Sequence, residues 1–180
     1  MNRFERDLQR CISGVMERWE KIHLGYPSVS LQQVGIPPYP IKLNQSIVRK
    51  VINKHGLSSA QLVEVQKGVN SPLMIFESNS LPGAKLLLTQ TVHNSESLIV
   101  AIHKGQMGKN PTNEIRSIYP KATAIILLWI EKKLLLAADK QRSQQWLEDR
   151  ARSNSARYLA IAGGVKSLIS ERQSQGGMKL

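Results

Sequence analysis

Cysteine is nearly absent from this chain. Cys11 stands alone, so no internal disulfide forms, and a reducing, cytoplasmic working place is the simplest reading. Acidic residues are also few: 13 Asp and Glu, scattered, against 25 Lys and Arg. That scarcity argues against a two-metal nuclease centre, and no Cys/His cluster has zinc-site spacing. The sequence thus predicts no metal and no cofactor. Long apolar runs are missing as well. Ala124 to Ile130 is far too short to span a bilayer and is followed at once by Glu131-Lys132-Lys133, so no membrane association is expected. The first twenty residues balance four acidic against four basic side chains without an apolar stretch, unlike a secretory signal.

What the chain has is positive charge. The net charge is +12 and the pI about 10.1. Residues 1–20 are neutral, so the excess lies in the middle and the tail. A polyanion is the favoured partner, and nucleic acid the commonest one; solubility or an acidic protein partner is the plainer reading.

The 41% hydrophobic content suffices for one core in 180 residues. Phe4, Leu8, Cys11, Ile12, Val15, Met16, Trp19 and Ile22 recur at spacings of three and four. They predict an amphipathic helix over 2–22, within an N-terminal segment 1–24 that packs on its own domain or forms a homodimer. Glycines and prolines over 25–40 read as a loop. Ile41-Lys42-Leu43 reads as a short strand, then a helix capped by Asn44 or Ser46 and stopped by Gly56, then a second capped by Ser58. Strands are expected at 73–77, 85–91 and 97–103, with 112–118 a fourth strand or a strand-to-helix junction. Helices follow at 121–133 and from Asp139 or Ser143, around a short extended piece at 134–137. The expected fold is α+β: N-terminal helices, a curved antiparallel sheet of about four strands, then C-terminal helices, with residues 25–150 the main domain. Residues 151–180 read as a basic helical tail with a disordered end.

Cleaving RNA without a metal takes three agents. A base removes the ribose 2′-hydroxyl proton, a cation stabilises the phosphorane, and an acid protonates the leaving 5′-oxygen. The protein needs no nucleophile of its own. His55, at the predicted helix end in Lys54-His55-Gly56, suits base or acid; alternatively it only favours the helix dipole. Lys50 and Lys54 make a basic helix end suited to phosphate, or simply a solvated face. Asn113-Glu114-Ile115-Arg116-Ser117-Ile118-Tyr119 supplies a carboxylate, a guanidinium, a hydroxyl and a phenol. On a regular strand, Glu114 and Arg116 share one face and Ser117 and Tyr119 the other, which splits the cluster. Lys104 and Lys109, in a glycine-bearing loop, can approach a phosphate backbone. His93 and His103 are weaker candidates.

Gln33-Val34-Gly35-Ile36-Pro37, Asn44-Gln45-Ser46, Lys54-His55-Gly56, Ala101-Ile102-His103, Asn113 to Tyr119 and Leu135-Leu136-Ala137-Ala138-Asp139-Lys140 stand in an order that resembles the C-terminal domain of MuF-type phage proteins. That group is similar to the barnase–EndoU–colicin–RelE class of RNA-cleaving toxin domains. The resemblance covers about residues 28–150. It implies a curved sheet with RNA, tRNA or mRNA, on its face, and a toxin or effector role countered by an inhibitor (antitoxin or immunity) protein. By position it implies polar site residues at His55, Glu114, Ser117 and Tyr119, with Lys50 and Lys140 as basic candidates; Arg116 or Lys50 would stabilise the phosphorane. Two positions depart from the pattern: Pro120, where a glycine usually follows Ser-x-Tyr, and Ala137, where an aromatic is usual. They sustain an alternative, a non-catalytic nucleic-acid- or protein-binding module on the same fold.

Overall fold

The structure, a computed structural model, describes residues 1–105 and 109–152. In chain order the elements are α1 (Arg3–Ile12), β1 (Lys21–Gly25), α2 (Val29–Gln33), β2 (Ile41–Asn44), α3 (Gln45–His55), α4 (Ser59–Asn70), β3 (Met74–Glu77), β4 (Ala84–His93), β5 (Glu96–His103), β6 (Asn113–Lys121), α5 (Thr123–Glu131), β7 (Leu135–Ala138) and α6 (Lys140–Arg152). All seven strands join one sheet in the order β1-β2-β6-β5-β4-β3-β7. β2 and β6 run parallel; every other neighbouring pair is antiparallel.

This corrects the expectation of about four antiparallel strands. The α+β character stands, but the sheet is mixed and has seven strands, because β1, β2 and β7 extend it at both edges. The helix expected over 2–22 ends at Ile12, with Gly14 at φ +77° just beyond it. Only a residue free of a Cβ enters that left-handed region cheaply. Ile22 continues the helical spacing of Met16 and Trp19, yet it sits on β1, where residues 21–25 alternate half-buried and buried. The loop expected over 25–40 contains the five-residue helix α2.

Local signals explain much of the rest. Asn2 and Glu5 form a reciprocal capping box on α1: the Glu5 N–H donates to Asn2 Oδ1 at 2.9 Å and the Asn2 N–H to Glu5 Oε2 at 3.1 Å. Ser58 and Gln61 cap α4 in the same way. Gly56 closes α3 at φ +68°. Asn94 and Ser95, both at positive φ, make the tight β4–β5 turn. Asp139 caps α6 by accepting from the Arg142 N–H at 3.0 Å. The predicted tail lies outside the described residues from 153 onward.

The two faces of the sheet bury different side chains. On one, α1, α3 and α4 cover Ile22, Leu24, Ile41, Leu43, Val100, Ile102, Ile115 and Ile118. On the other, α5 and α6 cover Met74, Phe76, Leu86, Leu88, Ile99 and Ala101. The Trp146 indole N–H donates to Ser97 Oγ at 3.0 Å within that second layer. The second layer takes nothing from β1 or β2, and from β6 only Tyr119 packs against it. There the outward residues are Lys21, His23, Lys42 and Glu114, all half-buried, and among the described residues no apolar side chain of the second layer packs on them.

Candidate functional site: a polar row across four strands

The pairing registers assemble the site. His23 on β1 pairs with Lys42 on β2, Lys42 with Glu114 on β6, and Glu114 with His103 on β5. Adjacent strands lie about 4.8 Å apart, so the four residues form one row about 14 Å long. Lys21, two residues before His23 and on the same face, donates from Nζ to Glu114 Oε1 at 2.5 Å. Arg116 brings a guanidinium nitrogen within 3.5 Å of Glu114 Oε2.

A bulge in β6 brings the rest of the predicted cluster to this face. Ile102 pairs with Ile115, but Ala101 pairs with Ser117, so Arg116 is an extra residue on β6. Ile115 and Ile118 both enter the first core. Ser117 stands opposite Ala101 and Tyr119 opposite Ile99, both second-face residues. Glu114, Ser117 and Tyr119 therefore share one face. Regular alternation would have split them; the extra residue resets the alternation midway through the segment.

The charges are placed unevenly. Glu114 ionises below the usual 4.5, first because the Lys21 hydrogen bond outweighs the opposing effect of burial, with the charges of Lys21, Arg116 and His103 adding smaller contributions. His23 is lowered from its usual 6.5, first by burial and then by Arg3 and Lys42, with Asp7 opposing. His23 is thus a neutral imidazole at neutral pH. The His103 Nδ1–H donates to the Lys104 carbonyl at 2.9 Å. A carbonyl only accepts, so Nε2 is the nitrogen left for chemistry. Burial raises the Tyr119 phenol, and Lys121 stands over its ring at 5.3 Å from the centroid.

Buried Asn113 anchors this end of β6. Its Nδ2 donates to the Pro37 and Tyr39 carbonyls, both at 2.8 Å, and its Oδ1 accepts from the Gly105 N–H at 3.3 Å. Lys104 and Lys109, both exposed, flank the His103 end of the row on the β5–β6 connection. The remaining expected site residues lie elsewhere. α3 packs Val48 and Val51 into the first core, so His55, Lys50 and Lys54 belong to the layer behind the sheet from Glu114. Lys140 is exposed at the start of α6, beside β7 at the sheet edge opposite β1. Sequence reasoning missed Lys21, His23 and Lys42 and ranked His103 low. Their signal was the alternation of Lys21-Ile22-His23-Leu24 and Ile41-Lys42-Leu43-Asn44, with a polar residue at every second place. Among the described residues no cluster of three or more His, Cys, Asp or Glu is placed to hold a metal ion, and no helix is long and apolar enough to cross a membrane.

The polar row, set by the β1–β2, β2–β6 and β5–β6 registers, makes a candidate sheet-face site on an α+β domain. The Phage MuF-C-terminal domain family matches residues 46–145, more than half of the chain, and the chain belongs to that family. The matched stretch runs from α3 into α6. It includes His103, Glu114, Arg116, Ser117 and Tyr119 and leaves Lys21, His23 and Lys42 outside. No curated protein and no solved structure matches the chain.

Proposed function

We propose that this chain is a metal-independent endoribonuclease of toxin or effector type that binds RNA on the open half of its sheet. The observation that carries the reading is the row His23–Lys42–Glu114–His103, two imidazoles flanking a cation and a carboxylate. Neutral His23 takes the 2′-hydroxyl proton as the ribose oxygen attacks the adjacent phosphorus. Lys42 and Arg116 face the charge that builds on the phosphoryl oxygens. The P–O5′ bond breaks, and His103, carrying a proton on both ring nitrogens for this step, delivers the one on Nε2 to the leaving oxygen. Glu114, ionised and held by Lys21, sets the electrostatics of the row and the position of Arg116. Ser117, Tyr119 and Lys121 continue the same face and hold the neighbouring phosphate. The products are a 2′,3′-cyclic phosphate and a free 5′-hydroxyl. His55, Lys50 and Lys54 have no part in this scheme.

The test is cleavage of an unpaired RNA oligonucleotide in excess EDTA. The expected product ends in a 2′,3′-cyclic phosphate, and a 2′-O-methyl copy of the substrate stays intact. Salt-sensitive binding without cleavage would sink the nuclease reading in favour of a non-catalytic nucleic-acid-binding module.

A further inference from the structure

A groove of about 730 Å³ opens between α1 and the β1 edge of the sheet, and His23 and Lys42 of the polar row form part of its lining. Arg3, Arg6 and Arg10, three and then four residues apart, line it from one face of α1. With Lys21 and Lys42 this makes five cations against two carboxylates, Asp7 and Glu20. Both carboxylates are engaged: Glu20 by Arg10 at 2.9 Å and Asp7 by Arg3 at 3.8 Å. Arg6 and Lys42 have no carboxylate partner among the described residues. At the rim stands Trp19, 79% exposed. Met16, the other apolar side chain of the lining, is buried and the His23 imidazole is half-buried, so Trp19 offers the groove's most exposed ring among the described residues.

We infer that this groove is a subsite for unpaired RNA, in which the α1 arginines and Lys42 hold successive phosphates and a base stacks on Trp19. The inference rests on the ribonuclease reading of the adjoining row and adds the substrate class to it: a single-stranded segment, not a duplex. A cationic track with one exposed aromatic is what single-strand binding requires, because any unpaired base has a face to stack and a paired base does not. An acidic protein surface would also satisfy the cations, and Trp serves protein interfaces too, so competition by polyglutamate is made an outcome of the test. The groove is continuous with His23 and Lys42, so a strand lying in it leads directly onto the row.

The test uses the full chain and a short unpaired oligoribonucleotide with 2′-O-methyl sugars, which binds without being cut. Binding is read by anisotropy and by quenching of tryptophan fluorescence. Trp19→Ala is expected to weaken binding about 5- to 100-fold and to remove most of the quenching. Arg6→Ala is expected to lower the slope of log affinity against log salt by about 0.7. Both side chains are exposed, and thermal melting checks that the variants stay folded. Wild-type affinity and quenching in both variants would overturn the inference. So would a duplex of the same sequence binding with equal Trp19 dependence, or polyglutamate competing with that dependence. The two readings fail separately. Trp19-dependent binding with uncut RNA leaves the subsite standing and removes the nuclease. RNA cut by Trp19→Ala and Arg6→Ala at the wild-type kcat/KM removes the subsite and leaves the nuclease.

Discussion

Glu114 faces His103 directly across the β5–β6 ladder, while Lys21 reaches the same carboxylate from β1, on the far side of β2. One side chain thus links three strands, of which β1 is distant in sequence from β5 and β6. The link depends on the parallel register of β2 and β6, which sets Lys42 beside Glu114 and so brings β1 within reach. The acidic member of the row is held by side chains separated from it by up to 93 positions along the chain.

The row and the helix end behind the sheet make opposite predictions. His23→Ala, His103→Ala and Glu114→Gln should each lower kcat/KM for RNA cleavage by about 10²- to 10⁴-fold, the usual worth of a positioned acid, base or charge. His55→Ala should stay within a few-fold of wild type, because α3 packs on the other face. A loss in His55→Ala equal to that in His23→Ala would refute the row as the active centre. Expression of the same variants in cells, with total RNA inspected for discrete cuts, gives a second readout.

The acid limb of the pH–rate profile should belong to His23. A base works deprotonated, so activity rises with pH through its ionisation, which lies below 6.5. Burial is the first cause of that lowering and the Arg3 charge the second. Arg3→Met should therefore move the limb toward 6.5 without reaching it. Stability follows the same sign: the unfolded chain takes up a proton at His23 before the native chain does, so acidification through the region below 6.5 destabilises the fold. Histidine titration by NMR, in wild type and variant, measures both; a His23 that titrates at or above 6.5 contradicts the assignment.

Much of the fold was legible because its signals are local. The Ser58 cap, the Gly56 stop and the Asp139 helix start each act within four residues, and the strands around them fell close to where the pattern put them. β1 was illegible for a local reason too: Ile22 fits the helical spacing from Met16 and Trp19 as well as it fits a strand, and only Gly14 marks the break. The site was illegible for a non-local one. Glu114, Ser117 and Tyr119 are visible as a polar cluster, but their common face depends on which residue of β5 stands opposite each. His23 and Lys42 look like ordinary outward residues of short strands until the sheet order sets them beside Glu114.

The Lys21–Glu114 pair should show a pH-dependent contribution to stability. The Glu114 ionisation is lowered, so the pair stabilises the fold fully above about 4.5, the usual carboxylate value, and loses that contribution as pH falls through the lowered one. Both side chains are partly exposed, 35% and 21%, which keeps the contribution near 1 kcal/mol or less. Lys21→Met should cost about that much at pH 7 and progressively less in acid, so that the urea midpoints of wild type and variant converge. A gap that stays constant down to pH 3 would mean that packing of the lysine stem, and not its charge, is what the substitution removes.

The bulge at Arg116 yields the strongest structural prediction. Deleting Arg116 leaves Asn113-Glu114-Ile115-Ser117-Ile118-Tyr119, which alternates without interruption: Glu114, Ser117 and Tyr119 on one face, Ile115 and Ile118 on the other. The deletion should therefore fold with every ladder pair outside the bulge retained and a stability change of about 1–2 kcal/mol, while cleavage falls through loss of the guanidinium. Denaturant unfolding tests it: a small shift in midpoint with unchanged slope is expected. A loss of about 3 kcal/mol or more, the scale of turning Ile118 out of the first core and Ser117 and Tyr119 toward it, would show that the extra residue does not set the faces of β6.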